Sequence, residues 1–116
     1  MITAEEAKRL SSIAIEKQKA ENFNFVIKDI DKEIQKAVNK GYTSIYYDIT
    51  RLVDTMKVRE YLLSYGYLCD IINDMGGLGF RISWNNPEIA RELYKQILLT
   101  KKIDGLLFKF DDLEVK

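Results

Sequence analysis

Between Phe23 and Val38, apolar residues recur with the period of an α-helix: Phe23, Val26, Ile27, Ile30, Ile34, Ala37 and Val38 share one side. Gly41 stands where a left-handed C-terminal cap belongs, and Lys36 and Lys40 sit beside the negative end of the helix dipole. Upstream, Thr3 and Glu6 have capping-box spacing, in which hydroxyl and carboxylate each satisfy a free backbone N–H. Ala7, Leu10, Ile13 and Ala14 repeat the helical spacing, and the polar stretch Glu16 to Asn22 reads either as the solvated middle of one continuous or kinked helix, which is favoured, or as a joint between two helices near Glu21-Asn22. A chain of 116 residues has room for one core. Committing residues 1–40 to helix therefore leaves the rest to build the layer that this stripe covers.

Thr43 to Ile49 supplies such a layer, with Ile45, Tyr47 and Ile49 alternating against Ser44, Tyr46 and Asp48 in the manner of a strand. Thr50 reads as the cap of a helix from about Leu52 to Tyr65, its buried side marked by Leu52, Met56, Arg59 and Leu63, and Gly66 stops it. Tyr67 to Ile72 and Gly79 to Trp84 are expected to form a hairpin around Asn73-Asp74-Met75-Gly76-Gly77. Asn86-Pro87-Glu88 opens a further helix whose apolar face, Ile89, Ala90, Leu93, Tyr94, Ile97 and Leu98, runs to about Lys101. Asp104-Gly105 then reads as a turn into a last strand, Leu106 to Phe110.

The expected order, α-β-α-β-β-α-β, is that of a single α+β domain: a helical arm (1–40), a sheet core (41–84) and a helix-strand extension (85–116). The seventeen residues from Thr50 to Gly66 suffice for a helical crossover between parallel strands one and two, which predicts a small mixed sheet with helices on one face. The stripe of the first helix exceeds what one face of so small a sheet must cover. It predicts a homo-oligomer assembled through the N-terminal helix.

Lys+Arg and Asp+Glu each number 18, which removes the bulk attraction on which non-specific nucleic-acid and anionic-membrane binders rely. No apolar run approaches the ~20 residues of a membrane-spanning helix, and the acidic start Met1-Ile2-Thr3-Ala4-Glu5-Glu6 is unlike a secretory signal. With a single cysteine, Cys69, stability is expected to come from packing, as in the reducing cytoplasm.

The absence of histidine excludes Ser-His and Cys-His nucleophile pairs and removes the commonest general base and transition-metal ligand. Cys69 lies in an apolar strand with no adjacent base and reads as a small buried hydrophobe. Asp111, Asp112 and Glu114 match no calcium loop and read as a solvated tail, and Asp29, Asp31 and Glu33 as solvated partners of neighbouring lysines. Gly76-Gly77-Leu78-Gly79 leads into a strand rather than a helix, so a hairpin turn is favoured over a phosphate cradle. No catalytic residue, metal site or cofactor is expected.

What the chain has in excess is aromatic surface, with seven tyrosines. Tyr61 and Tyr65 lie one helical turn apart, close in sequence to Arg59, and Arg81 falls near the same edge if the first and third strands are neighbours. Tyrosine and arginine build hot spots and stacking platforms, so Arg59, Tyr61, Tyr65 and Arg81 form the candidate partner site.

The opening Met1-Ile2-Thr3-Ala4-Glu5-Glu6-Ala7-Lys8, the lysine- and glutamate-rich helix, Gly41-Tyr42-Thr43-Ser44-Ile45, Leu62-Leu63-Ser64-Tyr65-Gly66-Tyr67 and Gly79-Phe80-Arg81-Ile82-Ser83-Trp84 together resemble small phage and prophage proteins of Gram-positive hosts. The likeness covers Met1 to Trp84. Such proteins usually end near the position of Trp84, whereas this chain is expected to add a capped helix and a strand. The resemblance carries over no site residue. It implies a phage origin; together with the lack of catalytic groups, the neutral charge, the small size and the aromatic surface, it leads to the expectation of a phage-encoded, non-enzymatic binding protein in the host cytoplasm that inhibits a host protein, a defence protein being one such target, or sequesters a small nucleotide-like signalling molecule. The alternative expectation is a nucleic-acid-associated accessory protein using Arg51, Lys57, Arg59 and Arg81.

Overall fold

The computed structural model describes residues 1–114, and side chains over residues 1–105. Helix α1 (Ala4–Asn39) is a single uninterrupted helix of 36 residues. Thr3 caps it by accepting from the Glu6 N–H at 3.2 Å, and Gly41 takes φ +80° just past its end. Then follow β1 (Ser44–Asp48), α2 (Thr55–Ser64), β2 (Leu68–Asp74), β3 (Gly77–Ser83) and α3 (Pro87–Glu114). The architecture is α+β, a long helix followed by a small sheet and two further helices.

The three strands lie in the order β1-β3-β2, and both pairings are antiparallel. β1 and β2 therefore run parallel, as the helical crossover requires, but β3 occupies the space between them. The sheet is antiparallel throughout instead of mixed. Taking its place beside β3 gives β1 an antiparallel ladder, which is slightly the more stable per residue. The hairpin forms as expected and is tighter: β2 and β3 absorb most of the anticipated connection and leave the turn at Met75-Gly76.

Two other expectations are corrected. No strand forms over 106–110, because α3 continues through Asp104-Gly105 to Glu114. Ile103, Leu106, Leu107, Phe110 and Leu113 keep helical spacing, and one glycine costs a helix only about 1 kcal/mol relative to alanine. α2 begins later than expected and is capped by Asp54, whose carboxylate accepts from the Lys57 N–H at 3.2 Å. Its buried side is Val58, Leu62 and Leu63, whereas Leu52 and Met56 are exposed.

The register sets Ile45, Ile82 and Cys69 in one row across the sheet, and Tyr47, Phe80 and Ile71 in the next. On this face the core closes with Val26, Ile30 and Ile34 from α1, Val58 and Leu62 from α2, and Val53 from the preceding loop. Most of the stripe assigned to a second copy is thus covered by the chain's own sheet. Along α1, Leu10, Ile13 and Ile15 upstream are exposed, as are Phe25 and, at the end of the stripe, Val38. The other sheet face carries Tyr46, Asp48, Asp70 and Arg81, all exposed.

α3 packs against α2 and β2. Ala90 is completely buried, and at Gly66, where φ is +88°, an added Cβ would lie 3.2 Å from Pro87. Among the described residues no helix is long and apolar enough to cross a membrane.

Candidate functional site

Tyr61 and Tyr65 are brought together on one side of α2, their ring centroids 5.0 Å apart. Phe23 of α1 meets the edge of Tyr61 at 5.7 Å in a T-shaped contact, which holds that ring upright between the helices. At the end of α2, Gly66 reverses the chain and delivers Tyr67 to the same region. The rings of Tyr61 and Tyr65, with Tyr67, Leu62 and the α1 residues Ile27, Ile30 and Ile34, line an open cleft of about 310 Å³. Tyr61 remains 37% and Tyr65 61% exposed, so much of their ring surface is free to meet another molecule.

Lys28 and Asp31, one helical turn apart on α1, complete the lining and give the cleft one charge of each sign. Asp31 also accepts from Gln35 at 2.9 Å, which fixes its carboxylate beside the cleft. The cleft therefore combines an apolar floor, tyrosine walls and a neutral pair of charges. Such a surface can hold an apolar side chain and hydrogen-bond to a backbone. It has little with which to neutralise a phosphate.

The two arginines of the candidate site lie elsewhere. Arg59 is on the far side of α2, where its Nε donates to the Cys69 carbonyl at 2.9 Å, tying the helix to β2. It also lines a separate depression with Leu93, Ile97 and Lys101 of α3. Arg81 does lie on a strand paired with β1, between Tyr46 and Asp70 in register. Alternation, however, places it on the sheet face opposite α1 and α2.

The other cations are equally dispersed. Arg51 lies 3.7 Å from the centroid of the Phe25 ring, and Lys57 flanks a depression shared with Glu16, Lys19 and Asp54. No common face unites Arg51, Lys57, Arg59 and Arg81.

Cleft residues that sequence reasoning passed over are Ile27, Lys28, Asp31 and Tyr67. Tyr67 follows the glycine that ends α2, and Lys28 and Asp31 flank the core stripe of α1; both signals are present, but neither marks a cleft without the packing angle of the helices. Asp29, read as a solvated ion-pair partner, accepts from the Tyr47 hydroxyl at 2.7 Å. Burial first, and this bond second, push the Tyr47 phenol above the ordinary tyrosine range.

Cys69 is fully buried. Desolvation pushes its thiol up to about 12, outweighing the opposing field of Arg59. Among the described residues no group of three or more Cys, Asp and Glu side chains could hold a metal ion. Asp111, Asp112 and Glu114 lie where side chains are outside the described residues. In comparisons with known proteins, the chain matches no protein family, no curated protein and no solved structure.

Proposed function

We propose that this chain is a non-enzymatic binding protein whose partner is another protein, and that the cleft between α1 and α2 receives a segment of it. The observation that carries this reading is the Tyr61–Tyr65 pair, which leaves ring surface open over an apolar cleft instead of burying it. Tyrosine is among the residues that dominate protein interfaces, because a wide, stiff ring with a polar tip loses little entropy on contact. Among the described residues Lys28 is the only cation lining the cleft, and it is accompanied by Asp31, which favours a protein segment over a nucleotide-like ligand. The dispersal of the arginines likewise weighs against the nucleic-acid reading. The resemblance to phage proteins suggests the biological form: an inhibitor that acts in the cytoplasm by occupying a host protein.

The test pairs identification with point variants. Proteins captured from host cells by the tagged chain are identified by mass spectrometry, and the candidate's binding is remeasured with purified components. Tyr65→Ala and Tyr61→Ala are expected to weaken that binding at least about tenfold, as hot-spot truncations do, while Arg81→Ala leaves it unchanged. Melting temperatures near the parent's would show that the loss is not unfolding. Normal binding by both tyrosine variants would refute the cleft.

A further inference from the structure

We propose that the outer edge of β1 takes up an extended segment of a partner protein as a further strand of the sheet, and that this segment carries two adjacent basic residues. The edge is separate from the tyrosine cleft, and the inference does not depend on that cleft.

The ladder between β1 and β3 is bracketed by two hydrogen bonds of 3.0 Å, from the Trp84 N–H to the Thr43 carbonyl and from the Ile49 N–H to the Leu78 carbonyl. Bonded and non-bonded positions alternate along an antiparallel pair. Ile45 and Tyr47 therefore bond to β3, whereas Ser44, Tyr46 and Asp48 direct both N–H and C=O away from it. No turn, loop or cap hydrogen bond reaches those outward groups among the described residues. The same alternation turns Cys69, Ile71 and Asn73 of β2 outward, but there the chain closes its own edge. Arg59 Nε donates to the Cys69 carbonyl at 2.9 Å, and α2 and α3 pack against the strand. β1 has no such cover and none of the usual guards of an edge: no proline, no lysine and no bulge in its register. Its Tyr46 ring folds inward over Gly79 and leaves the edge bare.

Outward donors and acceptors that recur every second residue are matched by an extended polypeptide backbone, as in strand addition to other open edges. Charge then selects among extended segments. Asp29 of α1 accepts from the Tyr47 hydroxyl at 2.7 Å, below β1, and Asp48 is exposed on the opposite, bare face. Neither carboxylate forms an ion pair among the described residues. Arg51 lies instead over the Phe25 ring, 3.7 Å from its centroid. Consecutive residues of a strand point to opposite faces, so two adjacent basic residues opposite Tyr47 and Asp48 would reach one carboxylate each. A second copy of β1, Ser44-Ile45-Tyr46-Tyr47-Asp48, offers no cation and would bring the same acids.

The probe is the end-capped peptide Thr-Val-Lys-Arg-Val-Thr, titrated into the isotope-labelled full chain. Before it is added, the Tyr46 and Asp48 amides should exchange with deuterium at least about tenfold faster than those of Ile45 and Tyr47, which are bonded to β3. The peptide should slow the first two and shift β1 signals with a Kd below about 1 mM. N-methylation of its alternate amides should abolish binding in one phase and spare it in the other. Glu-Glu in place of Lys-Arg should weaken binding at least about tenfold, as should Asp48→Lys at an unchanged melting temperature, because each sets like charges together. Asp70→Lys, on the far strand, should leave affinity unchanged. Uniform exchange along β1, no binding, shifts confined to other elements or indifference to both methylation phases overturns the proposal. Self-association that protects the same amides also overturns it, because the occupant would then be a second copy. Equal affinity for the Glu-Glu peptide, or for the Asp48→Lys chain, overturns the dibasic segment.

Discussion

Cys69 lies in β2 facing the core, and its chemistry follows from that position. Its ordinary thiol value of 9.0 is pushed up to about 12 by burial. Above pH 9.0 the unfolded chain releases a proton that the folded chain retains, so stability should be unaffected below that pH and fall as pH rises toward 12. Urea titrations through the alkaline range should show the fall, with a shallower slope in Cys69→Ala. Tyr47, also raised, acts in the same direction and accounts for part of the remaining slope. Gly79 makes a second residue-scale case. It ends the glycine cluster and starts the strand expected from the sequence, and it lies inside β3 beneath the Tyr46 ring, where an added Cβ would collide with that ring. Gly79→Ala should cost about 1–2 kcal/mol, as overpacking does. Much of that cost should disappear in a Tyr46→Ala background, measured as a double-mutant cycle.

Periodicity made several elements legible. α1 could be read because its cap, its core stripe and its terminal glycine agree, and β1 because its apolar residues alternate. The C-terminal run Leu106 to Phe110 was not, because a short apolar run satisfies both periods and Gly105 suggested a break that a helix tolerates. In α2 the helix starts at the Asp54 cap rather than at Thr50, and its buried side falls on Val58 and Leu62 instead of Leu52 and Met56, because the ragged apolar stripe fits more than one face. The apolar face assigned to α3 also shifts: Ala90 is fully buried, Leu93 half-buried and Ile89 exposed. Leu93→Ala should therefore cost about 1–2 kcal/mol, below the 2–5 of a fully enclosed leucine. Ala90→Leu, which forces three extra carbons between α3 and its neighbours, should lose about 1–3 kcal/mol. Thermal and chemical denaturation of the two variants would check that order.

For the molecule as a whole, the candidate site was half legible. Spacing of four on a helix guarantees that Tyr61 and Tyr65 share a face, so that pair could be read directly from the sequence. Arg59 and Arg81 were drawn in by proximity in sequence and by an assumed sheet edge. Only the fold reveals that one ties α2 to β2 and the other faces away across the sheet. The three-stranded sheet divides the chain into a helix-covered side, where the tyrosine cleft opens, and a bare side carrying Tyr46 and Arg81. That division makes the central claim directly measurable. Amide chemical shifts of the labelled chain, titrated with its purified partner, should move along Ile27–Ile34 of α1 and Tyr61–Tyr67, and stay fixed around Tyr46, Asp70 and Arg81. Perturbations concentrated on that bare face, with the cleft silent, would contradict the account.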